Sequence, residues 1–218
     1  MSTSIVFLKK IFNIFYTNEN IMPICERLIV GMLQTNCYIY GDNSTKEIII
    51  IDPGGNAKKI FQIIESGTYH PIGVILTHEH WDHTKSAKKI ANHFQIPIYA
   101  SKHIKKKNLN ITKYLQQKDS LTIGNHVLDV LESPGHSLGG LIFIDYNAKY
   151  IFVGDTIFAQ SIGRTDLPGG SMELLMDSIK RNILKNNKVD DSFQIMTGHG
   201  PITTVGSEKM LNPFLQNR

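Results

Sequence analysis

The stretch PIGVIL, residues 71–76, is apolar without a break, and the chain follows it at once with THEHWDH, residues 77–83. A short apolar run of this length reads as a buried strand. Three histidines, a glutamate and an aspartate then crowd against its end. Such side chains are costly to bury unpaired, so they are expected to gather at a site where the chain leaves a packed sheet.

Strands of this kind recur along the chain. From Met22 onward, ICERLIVG, NCYIYG and EIIIID read as three successive strands of a meander, broken by turn residues such as GDNSTK. NAKKIFQIIESG has helical spacing and a glycine stop, and HTKSAKKIANHFQ is a second amphipathic helix before the strand IPIYA. SLTIG, HVLDVLES, GLIFIDY and KYIFVGD resume strands, SMELLMDSIKRNILK is a helix, and SFQIMTG is a closing strand. The fold class is α/β. With no fixed-period repeat and no low-complexity linker, residues 22–218 are expected to form a single domain.

Composition excludes several classes of function. A chain of 218 residues, 41% apolar, can bury a sizeable core, which argues against disorder. Part of the net charge of +4 sits in SKHIKKKN, residues 101–108, which lacks interleaved aromatics; it reads as a solvated face, and no nucleic-acid partner is expected. Cys25 and Cys37 lack C-x-x-C spacing and read as buried thiols of a reducing, cytoplasmic compartment. Residues 1–21 hold an apolar stretch interrupted by Lys9 and Lys10, too short to span a bilayer and without a small-residue cleavage site. They read as a dispensable N-terminal extension, with an organelle-targeting or membrane-surface role kept open beside it. No transmembrane segment is expected.

Metal-type residues fall repeatedly where an apolar strand ends: VILT before His78, VLESPG before His136, YIFVG before Asp155 and FQIMTG before His199. Loops leaving a packed sheet can hold side chains from distant parts of the chain at fixed positions. His78 and His80 are two apart, so an extended turn can aim both imidazoles one way, while Asp82 and His83 face a neighbouring point. One short loop can thus serve two adjacent metals. Five histidines and two carboxylates suit Zn²⁺, Fe or Mn better than Ca²⁺ or Mg²⁺. His70, His93, His103 and His126 have no partner motif and read as ordinary hydrogen-bonded histidines. Glu79 and Trp81, between the candidate ligands, are expected to point away from the site.

THEHWDH, SPGHSLGG, FVGDT and TGHGP, in this order, resemble the metal-binding set of the metallo-β-lactamase superfamily. Within it the chain is similar to the short glyoxalase II-like (hydroxyacylglutathione hydrolase-like) hydrolases, in QTNCYIY, in SIGRTDLPGG and in the ending GHGPITTVGSEKMLNPFL. The resemblance implies a four-layer αββα sandwich. It also implies two divalent transition-metal ions, one held by His78, His80 and His136, the other by Asp82, His83 and His199, with Asp155 bridging. Asp82 and His83 would take part in catalysis as well. The implied reaction is hydrolysis of a thioester, S-D-lactoylglutathione or a related acylglutathione, by a metal-held hydroxide.

The resemblance is incomplete around the substrate. Full-length glyoxalase II has a glutathione-contacting basic residue nine positions after the bridging aspartate, which here is Arg164. An anion contact at Arg164 and a structural Arg164–Asp166 pair are both open readings. Asp166 stands where those enzymes have an aromatic, and Pro201 where they have a tyrosine. The short stretch after His199 leaves no room for their C-terminal helical domain, which implies looser thioester selectivity. Persulfide dioxygenases share the fold and the GRTD segment and would use one iron on His78, His136 and Asp155. Lactonase or β-lactamase chemistry, and a metal-stabilised binding protein without turnover, complete the alternatives.

Overall fold

The computed structural model describes residues 22–104 and 107–216, so the expectations for residues 1–21 and for Lys105 and Lys106 lie outside it. Strands β1 (Ile24–Val30), β2 (Thr35–Gly41) and β3 (Glu47–Ile51) form the expected antiparallel meander, with Ile24 opposite Gly41 and Tyr38 opposite Ile51. Helix α1 (Ala57–Ser66) carries the chain across to β4 (His70–Ile75), parallel to β3. A single turn, α2 (Trp81–Thr84), and helix α3 (Ala87–Phe94) lead to β5 (Ile98–Ser101), again parallel, and β6 (Lys113–Leu115) ends the first sheet.

The second sheet begins with β7 (Ser120–Ile123), β8 (His126–Glu132), β9 (Leu141–Asp145) and β10 (Tyr150–Gly154), all antiparallel. A small hairpin, β11 (Ile157–Phe158) with β12 (Ser161–Ile162), precedes helix α4 (Met172–Ile179), which widens into a π-helical turn over Lys180–Leu184. Strand β13 (Gln194–Thr197) returns parallel to β10, β14 (Thr203–Thr204) lies at the edge, and α5 (Val205–Leu211) and α6 (Pro213–Gln216) follow. Sheet order is β1-β2-β3-β4-β5-β6 and β14-β13-β10-β9-β8-β7.

Alternation along single strands explains the four layers. In β3, Ile48 and Ile50 face Ile60 and Ile64 of α1 and Ile90 of α3, while Ile49 and Ile51 face the second sheet. A strand covered on both faces has no polar alternation, which is why EIIII reads as one apolar run. Between the sheets lie Tyr38, Tyr40, Ile75, Val130, Phe143 and Phe152. On the far side, Ile142, Ile144 and Ile151 pack against Leu175, Ile179 and Ile183. The expected αββα sandwich is the observed architecture.

One helix differs from the sequence reading. HTKSAKKIANHFQ was expected to run unbroken, but the chain steps between Thr84 and Ala87, where the Ser86 amide donates to the Pro53 carbonyl at 2.9 Å. That step lets Asp82 and His83 turn inward while α3 lies flat on its apolar face. Strand β6, the β11–β12 hairpin, β14, α5 and α6 were not among the expected elements; they are short or polar. None of the helices among the described residues is long and apolar enough to cross a membrane.

Candidate metal centre

The loops after β4, β8, β10 and β13 converge on one place. Asn36 fastens the last of them to β2: its backbone amide donates to the Gly198 carbonyl at 2.8 Å, and its side-chain amide to the Thr197 carbonyl at 2.9 Å. Two glycines are needed for the close approach. A Cβ at Gly54 would lie 1.4 Å from the Asp82 carbonyl oxygen, and one at Gly198 would lie 2.2 Å from Asp155 Oδ1.

Ligand-type atoms then form three overlapping groups; one is Asp52, His78 and His83, and the other two hold expected ligands only. His78, His80 and His136 make one, and Asp82, His83 and His199 the other; within each, the atoms lie no more than 4.8 Å apart. Asp155 stands between them, with Oδ2 3.5 Å from His136 Nε2 and 3.6 Å from His199 Nε2, and Oδ1 3.3 Å from His83 Nε2. His80 Nδ1 is 2.8 Å from His136 Nε2, and His83 Nε2 is 3.2 Å from His199 Nε2. His78 Nε2 and Asp155 Oδ1 are buried without a hydrogen-bond partner. Leaving such a group unsatisfied costs about 1–3 kcal/mol. Lone pairs aimed at a shared point, with two orphaned atoms among them, fit divalent ions bound by nitrogen and oxygen.

Groups behind the imidazoles explain which nitrogens face inward. His136 Nδ1 donates to the Arg164 carbonyl at 2.8 Å, and His199 Nδ1 to the Leu33 carbonyl at 3.0 Å. His83 Nδ1 lies 2.9 Å from Asp52 Oδ2. Asp52 also accepts from the Thr77 amide at 2.7 Å and from its hydroxyl at 2.6 Å. Since that hydroxyl gives its one proton to Asp52, His78 Nδ1, 3.0 Å away, is the donor to the Thr77 oxygen. In His78, His83, His136 and His199 alike, Nε2 is thereby left as the lone pair facing the centre.

Charge follows the same arrangement. Burial, then His83 and other neighbouring imidazoles, hold His78 well below its ordinary range, and burial followed by His136 lowers His80. Burial alone would raise Asp82 and Asp155; for Asp82, His199 and His83 outweigh it and bring the carboxyl to about 2, and for Asp155, His83, His199 and His136 do so. His83 is the converse case: burial disfavours its charge, and the Asp155 and Asp52 carboxylates overcome that and raise it. The carboxylates thus favour positive charge at this point, whether a proton or a metal ion carries it.

All seven residues expected as ligands come together. Arg164 does not face them: it is exposed and holds Asp166 bidentately, at 2.8 and 2.6 Å. Glu79, which is not in the ligand groups, accepts from the Ser137 hydroxyl at 2.9 Å and ties the His80 loop to the His136 loop. Trp81 is 46% exposed. His126 is buried and paired with Asp145 at 2.9 Å, a structural role consistent with its lack of a partner motif. Asp52 and Thr77 were missed. Their signal was present, since Asp52 closes the apolar run EIIII just as Thr77 closes VIL.

The sequence profile described as the metallo-β-lactamase superfamily matches residues 30–199. A Haemophilus influenzae protein named hydroxyacylglutathione hydrolase GloC is 35% identical over 213 residues, covering 88% of this chain and 98% of its own length. Among solved structures, the BLEG-1 B3 metallo-β-lactamase aligns with a TM-score of 0.81 at 33% identity, over 88% of this chain and 100% of that one. TTHA1623, solved in a di-iron-bound form, aligns with a TM-score of 0.74 at 29% identity, over 87% of this chain and 100% of that one.

Proposed function

The chain belongs to the metallo-β-lactamase superfamily, and on that premise we propose that it hydrolyses a thioester, an acylglutathione of the S-D-lactoylglutathione type, to a hydroxy acid and a free thiol. The observation that carries the reading is the pair of three-residue groups with the Asp155 carboxylate spanning them. The naming of the Haemophilus relative supports the acylglutathione class. Both cysteines are free, Cys37 buried as expected and Cys25 only partly so, which suits a reducing cytoplasm.

His78, His80 and His136 would hold one divalent ion, Asp82, His83 and His199 the second, and Asp155 would touch both; Zn²⁺, Fe and Mn all accept this donor set. When bound, such ions supply a water acidic near pH 7 and polarise the carbonyl under attack. The chain's own contribution is orientation. Arg164 and Leu33 fix two rings through their carbonyls, Asp52 and Thr77 fix two more, and the Thr35 hydroxyl donates to Asp82 Oδ2 at 3.3 Å. Asp82 and His83 act here as catalytic residues by setting the position of the attacking water against the carbonyl. A thiol of parent pKa about 8.5 departs without a strong general acid, which accords with a centre rich in ligands and poor in spare acids.

A second reading rests on the likeness to BLEG-1, named a B3 metallo-β-lactamase: opening of a cyclic amide at the same centre. One paired assay separates the readings. Purified protein is expected to release free thiol from S-D-lactoylglutathione with no O₂ consumed, and His80→Ala to abolish turnover. Oxygen uptake with glutathione persulfide while the thioester survives would overturn the proposal in favour of a dioxygenase, and turnover of a β-lactam alone would favour the second reading.

A further inference from the structure

A cleft of about 430 Å³ opens beside the metal-ligand loop, lined by Trp81, Thr84, Lys85, Lys88, Asn108 and Leu109. Its size falls within the range of small-molecule sites, about 300–1,000 Å³. Trp81, between His80 and Asp82 in sequence, forms one wall, so the cleft adjoins the metal-ligand loop directly. Thr84 adds to this link, since its hydroxyl donates to the His80 carbonyl at 3.0 Å.

The charges in this cleft are free to act. Lys85 lies 5.9 Å from the Trp81 ring centroid, and among the described residues neither Lys85 nor Lys88 forms an ion pair. A neighbouring hollow shares Lys85 and adds Lys58, Lys59 and Lys89, and among the described residues the lining of both holds no carboxylate. Arg164 presents the opposite case, because the Nε–Nη2 edge of its fork is already taken by Asp166. To hold a substrate anion on that edge, Arg164 would first have to release a bidentate partner that already offsets its charge.

The geometry points to Lys85 and Lys88, with Trp81 as the flat wall, as the site that holds the anionic thiol portion of the substrate. This inference rests on the thioester reading and names its specificity residues. The shared chemistry is a thiol carrier bearing negative groups, either the carboxylates of a glutathione conjugate or the phosphates of a nucleotide-linked thiol. The acyl carbon would lie toward His80 and Asp82, and the anionic groups toward α3.

Trp81 is the only tryptophan in the chain, so its emission reports on the cleft without a label and without turnover. The metal-loaded protein would be titrated with S-methylglutathione and, separately, with desulfo-coenzyme A; neither carries a free thiol to compete for metal. A saturable change in emission with at least one of them is expected. The double variant Lys85→Gln/Lys88→Gln should weaken that binding at least tenfold, and added salt should weaken it too. Lys180→Gln, which removes one charge on the far side of the sandwich, should leave it unchanged. Binding of S-methylglutathione alone supports the carboxylate source, and binding of desulfo-coenzyme A alone the phosphate source. Equal binding by the double variant, or no change in emission with either probe, overturns the inference. The thioester reading fails separately: it falls if the wild-type protein hydrolyses no thioester, even where binding in the cleft persists.

Discussion

The Nδ1 atom of His83 lies 2.9 Å from Oδ2 of Asp52, and both residues are buried. Asp52 adopts a left-handed backbone, φ 51°, to make this contact. A residue other than glycine held in that region is costly and persists where surrounding contacts fix it. Here they are the Thr77 amide, the Thr77 hydroxyl and His83 itself. Asp52→Ala would release the His83 ring and, through Thr77, the His78 ring. The expected result is a metal affinity about 10–100-fold lower, read by chelator competition. Unchanged affinity would show that Asp52 serves only the turn.

Metal content tests the two-group arrangement. Purified protein is expected to carry about two transition-metal ions per chain, since six of the expected ligands fall into two separate groups of three. Asp155→Ala should lower occupancy at both, because its carboxylate approaches His136 of one group and His83 and His199 of the other. Asp82→Ala should lower only one. Elemental analysis giving a single iron, unaffected by replacing Asp82 or His83, would instead support a mononuclear centre.

Strand ends were the legible part of this chain. His78, His136, Asp155 and His199 could be placed from sequence because each follows an apolar run, and the sandwich exposes those run ends at one edge. Asp52 escaped notice because a single aspartate before a glycine pair also reads as an ordinary turn. The carbonyls of Leu33 and Arg164 could not be read at all, since every residue has one and only the fold decides which meets an imidazole. The break after Thr84 was hidden for a similar reason. Local helix propensity continues through Lys85 and Ser86, and only the tertiary bond from Ser86 to Pro53 marks the step.

A chain beginning at Met22 tests whether residues 1–21 are dispensable. The structure described from Met22 onward already contains both sheets and all seven candidate ligands. The shortened protein is therefore expected to keep its metal content, its cooperative melting and its thioester turnover. Loss of a single cooperative transition would show that the N-terminal segment packs on this core.

Between the two sheets, Asp145 Oδ2 accepts from the Tyr40 hydroxyl at 2.7 Å and lies 2.9 Å from His126 Nδ1, while Oδ1 accepts from the amides of Asn147 and Ala148 at 2.9 and 2.8 Å. Burial alone would raise the Asp145 pKa, but the bonds from His126, Ala148 and Tyr40 outweigh it and hold the carboxyl below its usual range. In the unfolded chain an aspartate titrates near 3.9 (about). The folded protein therefore binds this proton less readily than the unfolded one. The contribution of Asp145 to stability is present in full above the unfolded value and is lost as pH falls through the folded one. Tyr40→Phe removes one bond to a charged group and is expected to cost about 1.5–3 kcal/mol at neutral pH. Asp145→Asn should also lower the melting temperature at neutral pH, and its gap to the wild-type protein should narrow as the solution is acidified below about pH 4. Both proteins keep the same metal centre, so acid effects on the ligands cancel in that difference. A gap that stays constant across the acid range would show that Asp145 acts by shape alone, with its charge contributing nothing to the join between the sheets.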